Sequence, residues 1–166
     1  PLAEITLDAL LGLLAGKTLL LHGADYDLRM LRNSFGFRPA GRLIDTMIAG
    51  QLLGLEKLGL SSLVEQFFGE KLGKGGQKSD WSKRPLSRAQ LHYAFNDTRF
   101  LPPLADHLLA ELDRLGRTEW LTQSCAAAVA ATAEDRPAEP LHDWRIKGVR
   151  DLTPSQANFV RQIWQW

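Results

Sequence analysis

The chain has 166 residues, 45% of them hydrophobic, with 20 Lys and Arg against 19 Asp and Glu and a formal net charge of +1. That allows one core of ordinary size and excludes a strongly basic or acidic binder. The single cysteine, Cys125, excludes an intramolecular disulfide and a thiolate metal cluster, which suits a cytoplasmic protein, and no apolar run approaches the ~20 residues of a membrane span. Because the first residue is Pro1 rather than Met, the natural N-terminus is expected to lie upstream.

In chain order, Thr6 to Ala15 reads as an amphipathic helix with leucines at 7, 10, 11 and 14, ended by Gly16. Lys17 to His22 reads as a short buried strand, apolar on both faces, as in a parallel sheet flanked by helices. Gly23-Ala24 then turns into a helix with Asp25 as N-cap, closed after Phe35 by Gly36. Asp27 shares a stripe with Leu28, Leu31 and Phe35, which places a carboxylate at the carboxyl end of a strand, where open α/β sheets carry their sites. The plainer reading of Asp27 is that it favours the helix dipole from the first turn. Gly41 to Ile44 predicts a second strand, with Asp45 as cap of a helix through about Leu53. Ser61 or Ser62 opens the next helix, with Glu65 completing a capping box and Leu63, Val64, Phe67 and Phe68 as its apolar face.

Gly69 to Pro85 lacks periodicity and reads as an exposed loop. Between Lys71 and Arg88 it carries six basic residues, including Lys74, Lys78, Lys83 and Arg84, against the single acid Asp80, with Trp81 among them. Cations beside an aromatic suit single-stranded nucleic acid, and a solvated loop with Trp81 as a core anchor accounts for the same residues. Ser87-Arg-Ala-Gln90 is a capping box for a helix that projects Tyr93 and Asp97, four residues apart, from one face. That face continues through Phe100, Leu101 and Leu104, so the Asp97 carboxylate needs a cation, a hydrogen-bond network or a raised pKa. Pro102-Pro103 bends the chain into a helix through Leu115, and Thr118 to Thr132 reads as a further, Ala-rich helix. The chain is α/β in front and all-α behind. Residues 134–140 form a linker with two prolines, and Thr153-Pro-Ser-Gln156 caps a final helix.

Three stretches resemble the ribonuclease D branch of the DEDD 3′–5′ exonucleases, in the family's order. Leu21-His-Gly-Ala-Asp-Tyr-Asp-Leu28 is similar to its second motif. Leu43-Ile-Asp-Thr46 and Ser79-Asp-Trp-Ser-Lys-Arg-Pro-Leu86 follow, and Tyr93-Ala-Phe-Asn-Asp97 resembles its last motif in the tyrosine form. Residues from Asp143 through Pro154 resemble the start of a helicase-and-RNase-D C-terminal (HRDC) domain. The resemblance thus implies an exonuclease domain over residues 1–133, a linker and the beginning of an HRDC-like domain over 141–166.

The resemblance implies a ribonuclease H-like α/β fold and phosphodiester hydrolysis with two Mg²⁺ or Mn²⁺ ions. Asp27 and Asp97 would be metal ligands and Tyr93 would orient the attacking water, these three forming the catalytic set. Under the same resemblance His22 has a structural or indirect positioning role, while Asp45 is better explained as a helix cap. The implied partner is single-stranded RNA with a free 3′ end, such as tRNA precursors. The family's first motif, Asp-x-Glu, has no counterpart near the N-terminus, where Glu4 and Asp8 stand at the wrong spacing. The fold is therefore expected to be N-terminally incomplete and the isolated 166 residues inactive. A 3′–5′ DNA exonuclease of the Werner type and a catalytically dead nucleic-acid-binding module are the alternatives.

Overall fold

Two short runs, Leu19–Leu21 (β1) and Leu43–Asp45 (β2), pair in parallel, with Leu19 opposite Leu43 and Leu21 opposite Asp45. They form the sheet found among the described residues, which in this computed structural model are 6–73, 76, 79–133 and 152–164. The chain divides into two units, Pro1–Glu134 and Asp135–Trp166.

In the first unit the elements run α1 (Asp8–Ala15), β1, α2 (Asp25–Phe35), β2, α3 (Thr46–Leu52), α4 (Leu60–Phe68), α5 (Arg88–Arg99), α6 (Leu101–Arg114) and α7 (Thr118–Ala133). The expected α/β class holds, with helices predominating. Only Leu11 of the α1 leucines is buried, and Leu10 stays exposed. Gly36 ends α2 as predicted, at a φ of 64° that a side chain would strain.

The core is built from Leu28, Leu43, Ala49, Leu63, Leu104, Leu108, Leu112, Leu121 and Cys125. Residues 104, 108 and 112 repeat at four, so α6 presents a continuous leucine ridge to the sheet and to α3. Each such leucine contributes about 1.5–3 kcal/mol through burial. Two arginines of α2 bind the end of α7: Arg29 Nη2 donates to Ala131 O at 2.8 Å and Arg32 Nη1 to Thr132 O at 2.7 Å. Cations there satisfy carbonyls that the helix leaves unpaired.

Several expected caps are placed differently. The N-cap of α2 is Ala24, not Asp25, and it makes no side-chain cap bond. Asp25 is the first helical residue and pairs with Arg29 Nε at 3.1 Å. Asp45 reaches across space to the N–H groups of Gly23 and Ala24, just ahead of the helix, as described below. Helix α4 starts at Leu60 behind Gly59, so Ser61 and Ser62 lie in its first turn and the expected box with Glu65 does not form. Glu65 instead faces Lys71 at 3.6 Å. The stripe expected to run from Asp97 through Leu104 is broken at Phe100, where α5 ends and α6 begins with Pro102 in its first turn.

In the second unit, α8 (Pro154–Trp164) opens with the predicted box: Gln156 N donates to Thr153 Oγ1 at 3.4 Å and Thr153 N to Gln156 Oε1 at 2.9 Å. The linker expected over 134–140 and the HRDC-like residues 141–151 lie outside the described residues.

Candidate active site

Asp45 is the best-buried carboxylate among the described residues, 2% exposed. Its Oδ1 accepts from Met47 N at 2.8 Å and Ile48 N at 3.4 Å, capping α3 as the sequence predicts. The same carboxylate accepts from Gly23 N at 3.0 Å and Ala24 N at 2.7 Å, in the turn that leads from β1 into α2. A buried carboxylate is tolerated because these donors replace water. Beside it, His22 Nδ1 is 2.9 Å from Thr46 Oγ1, whose hydroxyl donates to Leu21 O at 3.2 Å. Burial lowers the His22 pKa, against smaller upward pulls from Asp45 and the Leu58 carbonyl. Its hydrogen bond to Thr46 ties the β1 end to α3, consistent with a structural part.

This frame sets Asp27 in the first turn of α2. The side chain is exposed on the flank of the stripe rather than facing the sheet, because the buried centre of that stripe is Leu28, one residue on. Its carboxyl pKa is nevertheless raised, first by partial desolvation and then by the charge of Asp45. An anion crowded by another anion is a place where a cation is welcome.

Tyr93 and Asp97 stand on α5, whose N-terminus is fixed by the predicted box: Ser87 Oγ accepts from Gln90 N at 3.2 Å and Gln90 Oε1 from Ser87 N at 2.9 Å. Both side chains are half-buried. They line a cleft of about 320 Å³ with Leu60, Ser61, Ser62 and Leu72. The start of α4 has no side-chain cap, and the hydroxyl-bearing Ser61 and Ser62 of its first turn line the Asp97 cleft. Burial raises the Tyr93 pKa, and the Asp97 carboxylate one turn along the helix raises it further. The phenol therefore keeps its proton at neutral pH.

The loop between α4 and α5 is the segment that the sequence predicts to be exposed and basic. Lys83 is exposed, 4.0 Å from Asp80. Arg84 Nη1 donates to the carbonyls of Trp81 at 2.8 Å and Lys83 at 2.9 Å. Lys74 and Lys78 lie outside the described residues. Trp81 is half-buried and its anchor is not the core: its ring packs on Tyr93, centroids 6.0 Å apart and tilted by 57°. No spacing rule signals this packing, since the intervening loop has no periodicity. Ser61 and Ser62, expected only as capping residues, form part of the cleft wall, for which the sequence gives no signal.

Asp27 and Asp97 are hard oxygen donors of the kind that divalent cations prefer. Among the described residues, however, no three His, Cys, Asp or Glu side chains come together as a metal-binding group. The two aspartates fit such an ion in donor type, but Asp27 is not among the residues that line the Tyr93 and Asp97 cleft.

Over residues 3–113 the chain matches the 3′–5′ exonuclease family. It is 35% identical to the ribonuclease D of Acidiphilium cryptum over 150 residues, covering 90% of this chain and 38% of that one. The crystal structure of Escherichia coli RNase D, described as an exoribonuclease involved in structured RNA processing, superposes with a TM-score of 0.73 at 28% identity, over 92% of this chain and 41% of that one. Brucella melitensis NrnC with bound Mg²⁺ matches with a TM-score of 0.67 at 27% identity, over 79% and 68% respectively. The chain thus spans less than half the length of the ribonuclease D relative. With 111 of its 166 residues inside the family match, this chain belongs to the 3′–5′ exonuclease family.

Proposed function

We propose that the protein containing this chain is a 3′–5′ exoribonuclease of the ribonuclease D type, acting on RNA with a free 3′ end, including tRNA precursors and other structured RNAs. The observation that carries this reading is the Tyr93 phenol beside Asp97 in one cleft, on a helix whose sequence has the tyrosine form of the last exonuclease motif. The likeness to ribonuclease D sequences supports the RNA substrate.

Asp27 and Asp97 would hold divalent cations, Mg²⁺ or Mn²⁺, together with carboxylates from outside the described residues. When bound, two such ions would favour ionisation of water and neutralise charge on the phosphate and the departing oxygen. The chain's own residues do the rest. Tyr93, neutral at working pH, holds the attacking water by a hydrogen bond. Asp45 and His22 keep the β1–α2 turn rigid, so Asp27 is presented from a fixed backbone. The new bond joins the water oxygen to phosphorus. The bond to the 3′ oxygen of the preceding nucleotide breaks, and the terminal residue leaves as a 5′-monophosphate. Lys74, Lys78, Lys83 and Arg84 would track the RNA phosphates.

The test uses the complete protein with Mn²⁺ or Mg²⁺ and a single-stranded RNA labelled at its 5′ end. Stepwise shortening from the 3′ end, abolished by Asp97→Ala and slowed by Tyr93→Phe with little change in RNA affinity, is the expected result. Faster degradation of a matched DNA strand would favour the Werner-type reading. Absence of shortening in the complete wild-type protein would leave a binding module. The isolated 166 residues are expected to be inactive, because two carboxylates do not complete a dinuclear site.

A further inference from the structure

Hydrogen bonds gather around Trp81 in the loop between α4 and α5. Its Nε1 donates to Gly76 O at 3.2 Å, a carbonyl that also accepts from Ser79 Oγ at 2.7 Å and from Ser79 N at 3.2 Å. Its own carbonyl accepts from Arg84 at 2.8 Å. The carbonyl of the preceding residue, Asp80, accepts from Gln90 Nε2 at 3.0 Å, and Gln90 is a buried residue of α5. The loop is therefore bound to the first turn of the helix that carries Tyr93. Gly76 itself is buried against Tyr93, so closely that a side chain there would overlap the tyrosine Cβ and Cγ.

A tyrosine on a half-exposed helix face has more than one staggered rotamer open to it. Here the Trp81 ring stands against one side of the phenol in a tilted aromatic contact, and Gly76 is packed against the tyrosine Cβ and Cγ. The bound loop removes the space into which the ring would otherwise swing.

We propose that Trp81 is a positioning residue for Tyr93: hydrogen-bonded to Gly76 and held to α5 through Gln90, it fixes the orientation of the phenol over the Asp97 cleft. This rests on the reading of Tyr93 as part of the hydrolytic site. Trp81 acts through Tyr93 and does not touch the RNA.

The complete protein tests this with Trp81→Leu, Trp81→Phe, Tyr93→Phe and the double variant Trp81→Leu/Tyr93→Phe, each assayed on single-stranded RNA over a range of concentrations. A misplaced reacting group costs one to two orders of magnitude, so Trp81→Leu should lower kcat about tenfold. KM should stay within about twofold of the wild type, because ground-state binding is untouched. Trp81→Phe keeps a ring against Tyr93 and should recover most of the rate. The double variant should be no slower than Tyr93→Phe alone, since both changes remove the same ordered phenol. A Trp81→Leu enzyme with unchanged kcat would overturn the proposal. So would losses that multiply in the double variant, or a rise in KM alone, which would make Trp81 an RNA-stacking platform. If Tyr93→Phe is itself as fast as the wild type, the assignment of Tyr93 falls and this proposal with it; a slow Tyr93→Phe with a normal Trp81→Leu removes the proposal only.

Discussion

Asp45 Oδ2 lies 2.7 Å from the backbone nitrogen of Ala24, 21 residues earlier, while Oδ1 caps the helix that Asp45 itself begins. One carboxylate thus holds the starts of α2 and α3 together at the carboxyl ends of two paired strands. The position of Asp27 follows from that bond, because Asp27 stands in the first turn of the helix so fixed.

Asp45→Asn is expected to destabilise the chain by about 2–4 kcal/mol, the cost of breaking a satisfied buried polar group. The asparagine keeps one acceptor but turns an N–H towards either Ala24 or Met47, setting donor against donor. Urea denaturation followed by circular dichroism checks this. An unchanged midpoint would mean that the turn holds without the carboxylate.

Asp27→Asn is expected to have the opposite sign in the metal-free chain. A carboxyl pKa raised by desolvation and by Asp45 contributes stability that is full below the ordinary value of 3.8 and lost as pH rises through the folded value. At neutral pH the ionised group is therefore a net cost. Exposure screens it, so the melting temperature should rise by no more than about 2 °C. In the complete protein the same substitution should abolish RNA shortening and weaken the stabilisation that added Mn²⁺ gives the wild type. Equal Mn²⁺ stabilisation of both forms would remove Asp27 from the ligand set.

His22 predicts acid sensitivity. Its pKa is lowered by burial from the ordinary 6.5, so the stability it contributes is present above that value and lost as pH falls through the folded value. Melting curves of this chain between about pH 7.5 and pH 5.5 should show falling stability, and His22→Gln should flatten the slope over that range. Parallel curves for the two proteins would mean that other groups carry the acid transition.

Lys78→Ala together with Lys83→Ala should weaken RNA binding by the complete protein and reduce its salt dependence. Each lysine that no longer neutralises a phosphate takes about one unit from the slope of log affinity against log salt. A slope equal to that of the wild type would mean that the loop does not follow the RNA backbone.

Much of this is legible in the sequence because it is local. Gly36 ends α2 and Ser87 with Gln90 opens α5, as the residue types require, since caps are satisfied within one turn of chain. Tyr93 and Asp97 share a face because helical periodicity puts them there. Asp45 is legible as the cap of its own helix, for the same reason. Its second role is not, because nothing in a sequence says which distant N–H groups will face a carboxylate. Asp25 shows the same limit: a good capping residue becomes the first helical residue, and a buried carboxylate from β2 binds the turn just ahead of the helix.

The sequence by itself determined the order of strands and helices, the box that opens α5, the glycine that ends α2, and the shared helix face of Tyr93 and Asp97, all governed by short-range sterics and hydrogen bonding. Only the tertiary structure decided that Asp45 serves two helices, that Asp27 is exposed yet charged against Asp45, and that Trp81 leans on Tyr93 rather than entering the core. These depend on how the parallel pair brings Leu21 opposite Asp45 and how a loop without periodicity folds back on α5. Long-range packing selects such arrangements from many that the same local propensities permit.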